Sequence, residues 1–121
     1  MFKHKIRVRY AETDQMGIVH HSNYVIYFEE ARVAFMEYMG KPYHKMEKDG
    51  ILVPVIEVYV KYLKPAYFGD EIEVRVDFKQ EGIKFRFYYE VWRGEDKLAE
   101  GYTTHVYVDK SFKILRPNKI K

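Results

Sequence analysis

The chain predicts an α+β fold in which an antiparallel sheet of about five strands wraps around one long central helix. Three observations carry this. Period-two alternation of apolar and polar residues recurs along most of the sequence, a single long segment keeps helical spacing, and turn signals separate the strands by only a few residues. Strands joined by short turns pair antiparallel, and one helix covers only one face of a sheet.

Residues 2–10 place Phe2, His4, Ile6, Val8 and Tyr10 on one face and Lys3, Lys5, Arg7 and Arg9 on the other, the pattern of a half-buried strand. From Tyr24 to Met39 the period changes. Tyr24, Tyr27, Phe28, Ala31, Ala34, Phe35 and Tyr38 follow helical spacing, with Glu29, Glu30, Arg32 and Glu37 on the opposite arc. Asn23 or Ser22 is placed to cap this helix, and Gly40 followed by Pro42 stops it. A shorter helical piece fits Tyr43 to Lys48. Residues 51–63 read as a longer β segment in which Ile56, Val58, Val60 and Tyr62 share a face and Pro54 lies at an edge or bulge. In residues 71–78, Ile72, Val74, Val76 and Phe78 alternate with Glu71, Glu73, Arg75 and Asp77. The break Gln80-Glu81-Gly82 makes 71–92 a hairpin, and Arg93-Gly94-Glu95-Asp96 separates it from a further strand over Leu98 to Val108. The basic tail, Lys110 to Lys121, reads as a last strand and a frayed end.

Composition narrows the function classes. At 121 residues there is room for one domain, taken as 1–121. With no cysteine, a disulfide framework, a thiolate nucleophile and a Cys-ligated zinc site are all excluded, and five histidines do not make a metal reading by themselves. No metal is therefore expected. The first residues lack an apolar leader, and no run approaches the roughly 18 apolar residues of a membrane span, so a soluble cytoplasmic protein is expected. A net charge of only +3 gives weak support to nucleic-acid binding and suits an anionic small ligand equally well. One helix leaves the other sheet face and the sheet edges uncovered, which predicts a homo-oligomer, dimer or tetramer, with isologous contacts.

Between the first strand and the helix runs Tyr10-Ala-Glu-Thr-Asp14-Gln-Met-Gly17-Ile-Val-His20-His21-Ser-Asn23-Tyr24. It gathers a carboxylate, a flexible glycine, two imidazoles and a helix N-terminus within fifteen residues. The first N–H groups of a helix lack intrahelical partners and sit at the positive end of its dipole, where they suit a developing oxyanion. An ionised Asp14 beside them can take a proton from water or attack a carbonyl itself. A thioester is a suitable target because a thiolate leaves with little protonation.

The stretch from Arg7 to Arg32, with the spacing Tyr-x-x-Thr-Asp-x-x-Gly-x-Val-x-His-x-Asn-Tyr, resembles the active-site signature of the hot dog fold acyl-CoA thioesterases. It is most similar to the branch holding 4-hydroxybenzoyl-CoA thioesterase and the YbgC-like proteins associated with the Tol-Pal system. The order of elements matches that fold over essentially the whole chain, and the sharp motif covers roughly its first quarter. The resemblance implies that Asp14 is the catalytic carboxylate, as base or nucleophile, and that the His21 backbone N–H polarises the carbonyl. It further implies that the His21 imidazole and the Tyr10 hydroxyl orient the site, and that Gly17 lets the loop approach the substrate, with Ile18, Val19 and Asn23 beside it. No cofactor is implied, since coenzyme A is part of the substrate. The family's sites lie between subunits, so Glu57 to Tyr62 of a second copy are implied to complete the pocket.

Other residues weigh against plainer readings. Asp14 has the character of a turn residue, His20 of a surface loop residue, and His105 of a structural residue in the last long strand. Lys79 and Lys84 flank the hairpin turn, where they would meet coenzyme A phosphates or simply be solvated. Two other functions compete with the hydrolase. One is a hot dog fold dehydratase acting on hydroxyacyl thioesters, which pairs a His with an acidic residue farther along the helix region and lacks the Asp-x-x-Gly-x-Val-x-His arrangement. The other is a noncatalytic nucleic-acid-binding or interaction module, in which Lys84-Phe-Arg-Phe-Tyr-Tyr89 would stack bases.

Overall fold

The computed structural model describes residues 1–117. Its elements are β1 (Phe2–Arg7), α1 (Ser22–Tyr38), α2 (Tyr43–Lys48), β2 (Val55–Tyr62), β3 (Glu71–Glu81), β4 (Lys84–Arg93), β5 (Asp96–Val108) and the short β6 (Ile114–Leu115). The strands form one antiparallel sheet in the order β1-β3-β4-β5-β2, with β6 pairing β5. The expected long helix and multi-stranded antiparallel sheet are both present. No helix among the described residues is long and apolar enough to cross a membrane.

Register explains which side chains face the helix. Val74 opposes Val91, Val91 opposes Ala99, Phe87 opposes Thr103 and Phe85 opposes His105, so the alternate positions of β3, β4 and β5 form one inner face. Helix α1 lies on that face through Tyr24, Tyr27, Phe28 and Ala31, all buried. Phe28 stacks on Tyr89 with ring centroids 4.2 Å apart, and Phe35 meets Phe87 edge-on at 5.9 Å. Such aromatic pairs add about 0.5–1.5 kcal/mol beyond the area they bury. Phe85, Phe87 and Tyr89 are buried in this layer and offer no stacking platform to bases, while Tyr88, the other aromatic of Lys84 to Tyr89, is half-buried on the opposite face.

Several boundaries and faces differ from the sequence reading. Strand β1 ends at Arg7, because Val8 bonds instead to the loop before β3, donating to Asp70 O and accepting from Gly69 N–H. The alternation continues to Tyr10, yet the chain has already turned, and Tyr10 is exposed. Helix α1 starts two residues earlier than its apolar stripe, and neither Ser22 nor Asn23 caps it; His21 holds that position with no side-chain bond. Arg32, assigned to the polar arc, is buried: its guanidinium donates to the Tyr89 hydroxyl at 3.2 Å and lies 3.9 Å from Glu29. Strand β2 covers Val55–Tyr62, and a bulge between Val55 and Glu57 takes Ile56 out of register with Val58 and Val60. It is an edge strand, exposed along nearly all its length. The tail supplies β6, and Asn118 to Lys121, read as frayed, lie outside the described residues.

Two buried features in β5 make stability predictions. Gly101 sits where β2 and Phe28 converge: an added Cβ would collide with the Tyr59 carbonyl oxygen and lie 3.1 Å from the Phe28 ring. Gly101→Ala is expected to lower unfolding stability by about 1–3 kcal/mol in urea, and an unchanged midpoint would contradict the packing described. His105 is fully buried and bonds Thr103, whose hydroxyl also meets Tyr89. Burial first, and then the Arg32 charge, push its imidazole down to about 4. The folded chain therefore keeps His105 neutral where an unfolded histidine, ionising near 6.5, takes a proton. Stability should fall as pH drops from about 6.5 to about 4, by up to about 3 kcal/mol from this residue. In His105→Gln the fall over that interval should be shallower than in the wild type; equal slopes would remove His105 as the cause.

Candidate active site

The segment between β1 and α1 is a small built structure. After a single 3-10 turn at Tyr10–Glu12, Thr13 pairs with Val19 and Ile18 with Tyr67, so the segment folds back as a tight loop laid against the chain before β3. Asp14 and Gly17 close its tip. Gly17 N–H donates to Asp14 O at 3.0 Å, Asp14 N–H to Ile18 O at 2.8 Å, and Met16 N–H to Asp14 Oδ1 at 2.8 Å. Gly17 has φ +80°, the left-handed region that this turn demands and that other residues enter at a cost. Asp14 thus is a turn residue, but only one of its oxygens is used in that way; Oδ2 takes no partner among the described residues.

The side chain is half-buried and borders a cleft of about 410 Å3 together with His20, His21, Tyr24 and Tyr62. Ile18, Val19, Leu63 and Pro65 give that cleft an apolar wall. Asp14 and His20 also border a second, more polar cleft of about 720 Å3 that includes Tyr10 and Asn23. The Asp14 loop is therefore a partition between an apolar chamber and a polar one.

The helix N-terminus meets the same apolar cleft, and its donors are distributed unevenly. Ser22 N–H reaches His20 Nδ1, Asn23 N–H reaches His20 O, and Tyr24 N–H reaches His21 O. His20 N–H is taken by Glu12 O at 2.9 Å. The His21 N–H has no partner among the described residues, and it stands at the positive end of a 17-residue helix. Tyr62, at the end of β2, donates its hydroxyl to His21 O at 3.1 Å, and the His20 and His21 rings lie 4.1 Å apart.

Glu12 is the residue that sequence reasoning missed. It is only 6% exposed, and its carboxylate accepts from Arg9 N–H at 2.8 Å, from Arg9 Nε–H at 3.3 Å and from the Tyr27 hydroxyl at 2.9 Å. Its carbonyl accepts from Asn23 Nδ2–H as well as from His20. Burial, and next the bond to Glu12, raise the Tyr27 hydroxyl well above its usual ionisation range, so it remains a donor. The spacing of Arg9 and Glu12 was a visible signal of a local pair; the link to Tyr27, on the helix, was not.

Among the sequence-derived candidates, the structure brings Asp14, His21, Ile18 and Val19 to one cleft and puts Gly17 at the loop tip between them. Tyr10 packs edge-on against Phe68 at 5.7 Å and borders the polar cleft, not the apolar one. Asn23 ties α1 to the loop. Lys79 and Lys84 flank the β3–β4 turn, and Lys79 lies 3.6 Å from Glu81. That turn is at the opposite end of the sheet, since the eight residues from Glu71 to Lys79 span roughly 26 Å of strand. Among the described residues no group of three or more His, Asp or Glu is arranged to hold a metal ion.

Comparison with known proteins shows what the chain as a whole is similar to. YneP of Bacillus subtilis, provisionally named an acyl-CoA thioesterase, is 38% identical over 120 residues, covering 97% of this chain and 87% of that one. YbgC of Escherichia coli, named an acyl-CoA thioester hydrolase, is 25% identical over 99 residues, covering 81% and 74%. The crystal structure of a DHNA-CoA thioesterase from Staphylococcus aureus superposes with a TM-score of 0.92 at 30% identity, covering 98% of this chain and 81% of that chain. The model of the thioesterase-like superfamily matches residues 8–118, a span that includes the Asp14 loop, both helices and β2 to β6, and the chain belongs to that superfamily.

Proposed function

We propose that this protein hydrolyses an acyl-coenzyme A thioester to the free acid and coenzyme A, with Asp14 as the catalytic carboxylate. The observation that carries the reading is that Asp14 and His21 line the same apolar cleft, with Asp14 Oδ2 and the His21 N–H both without a partner among the described residues. The relatives named as acting on acyl-CoA or on DHNA-CoA support the substrate class.

The acyl group enters the chamber walled by Ile18, Val19, Leu63 and Pro65, and its carbonyl oxygen turns to the His21 N–H. Asp14 Oδ2 takes a proton from water as the water oxygen bonds to the carbonyl carbon, and the helix dipole steadies the resulting oxyanion. The carbon–sulfur bond then breaks and the thiolate of coenzyme A leaves, taking up a proton. In the variant route the carboxylate bonds to the carbonyl carbon and expels the thiolate, and water hydrolyses the anhydride. Asp14 keeps its place in either route because Oδ1 is tethered to Met16 N–H.

The working unit is a homo-oligomer. The exposed β2 edge carries Val55, Ile56, Val58 and Tyr59, and leads into Tyr62 and Leu63 at the cleft. An open apolar edge is a template for pairing with a second copy, and pairing there brings the copy's β2 to the rim of the cleft. Lys79 and Lys84 serve coenzyme A phosphates only across such an interface, given their distance from Asp14 within one protomer.

Thiol release measured across an acyl-CoA panel of increasing chain length, with a benzoyl member, tests the reading. Asp14→Asn and Asp14→Ala should lower kcat by about 10²–10⁴ with the fold retained by circular dichroism. Turnover of Asp14→Asn at the wild-type rate would refute the role. Val58→Lys should shift the protein toward monomer by light scattering and reduce activity, whereas a wild type already monomeric would remove the shared-cleft argument.

A further inference from the structure

We propose that Glu12 is a positioning residue for hydrolysis, setting the separation between the Asp14 carboxylate and the His21 N–H. The inference rests on the roles of Asp14 and His21 proposed above.

Glu12 precedes Asp14 by two residues, and its backbone carbonyl holds His20 N–H, one residue before His21. The same carbonyl takes Asn23 Nδ2–H at 2.9 Å, from the first turn of α1. One peptide group therefore joins both arms of the loop and the helix start. The side chain then anchors that peptide. One oxygen, Oε1, receives both Arg9 N–H, two residues past the end of β1, and the Tyr27 hydroxyl from the second turn of α1.

Burial of a carboxylate costs several kcal/mol unless it is paired and bonded, so a Glu here needs a compensating arrangement. Arg9 supplies the charge, with Nη2 at 3.3 Å from Oε2. The three bonds to the side chain all come from donors: Arg9 N–H, Arg9 Nε–H and Tyr27 O–H. A carboxylate accepts all three, two of them on Oε1, whereas an amide keeps one acceptor oxygen for those two and turns its NH2 toward the Arg9 guanidinium. Glu12→Gln therefore keeps the volume and both Oε1 bonds but sets an N–H against the Arg9 guanidinium in place of the ion pair, which loosens the anchor. A displacement of about 1 Å at a reacting group costs as much as 10²-fold in rate, while binding of the acyl chain to the apolar wall is untouched. The loss should appear in kcat and leave KM nearly as it was.

The experiment compares wild type, Glu12→Gln, Tyr27→Phe, Asp14→Asn and the double variant Glu12→Gln/Asp14→Asn, reading thiol release from an acyl-CoA that the wild type turns over. Glu12→Gln should lower kcat by about tenfold or more with KM within about threefold, and Tyr27→Phe by a smaller factor. The double variant should be no slower than Asp14→Asn, because Glu12 acts through Asp14. Wild-type kcat in Glu12→Gln while Asp14→Asn is inactive overturns the positioning role alone, and so does a loss confined to KM. If Glu12→Gln fails to fold, Tyr27→Phe decides, and an unchanged kcat there overturns the role. If the wild type turns over no acyl-CoA, the hydrolase reading is what fails. The backbone amide spectrum then judges Glu12: Glu12→Gln should move the Met16 and His21 amide signals, and unmoved signals overturn the proposal.

Discussion

The stacking of Phe28 on Tyr89, with planes 3° from parallel, is the contact on which the arrangement depends. It seats α1 on the inner face of the sheet at the point where Gly101 lets β2 and the helix approach together. Moving either ring would carry the helix N-terminus with it, because Tyr24 lies one turn before Phe28 and Tyr27 next to it on the same buried side. The active-site geometry is thus an extension of core packing. Tyr27 expresses this directly, with its ring in the core and its hydroxyl on Glu12.

In the proposed mechanism, turn chemistry and catalytic chemistry converge on Asp14. Asp14 is an ordinary choice for a tight turn because its carboxylate accepts the N–H two residues ahead, and Gly17 is an ordinary choice at a left-handed position. What is not ordinary is the surroundings of the second oxygen. The loop folds back so that Asp14 lines both clefts, and His21, whose N–H has no partner among the described residues, lines the apolar one. Satisfying every other donor at the helix entrance leaves the His21 N–H as the available one. The side chains of Ser22 and Asn23, both good caps by type, are engaged with His20 and Glu12 instead.

Much of the fold was legible in the sequence because the inner face of the sheet alternates strictly in Ile72, Val74 and Val76 and in Phe85, Phe87, Tyr89 and Val91. The helix was legible for the same reason at a different period. The failures have physical causes. Alternation ran on to Tyr10 although backbone bonds from Val8 to the loop before β3 had already redirected the chain. Arg32 looked like a surface residue because helical spacing reports position and not partners; the Tyr89 hydroxyl on the facing sheet accepts a hydrogen bond from its guanidinium and permits burial. The Ile56 bulge left no trace in an apolar run. Asp14, His21 and Gly17 stand out as candidates by their spacing in a motif, whereas Glu12 is silent because its contact with the helix lies fifteen residues away.

The central claim is that a thioester carbonyl is held against the His21 N–H while Asp14 faces its carbon. Titrating the protein with a nonhydrolysable ketone analogue of an acyl-CoA, and following backbone amide signals, addresses it directly. The account predicts that the His21 amide proton moves downfield, more than any other amide in the first turn of α1, as it gains a hydrogen-bond acceptor. A His21 signal that stays in place while the analogue binds and shifts residues elsewhere would contradict it.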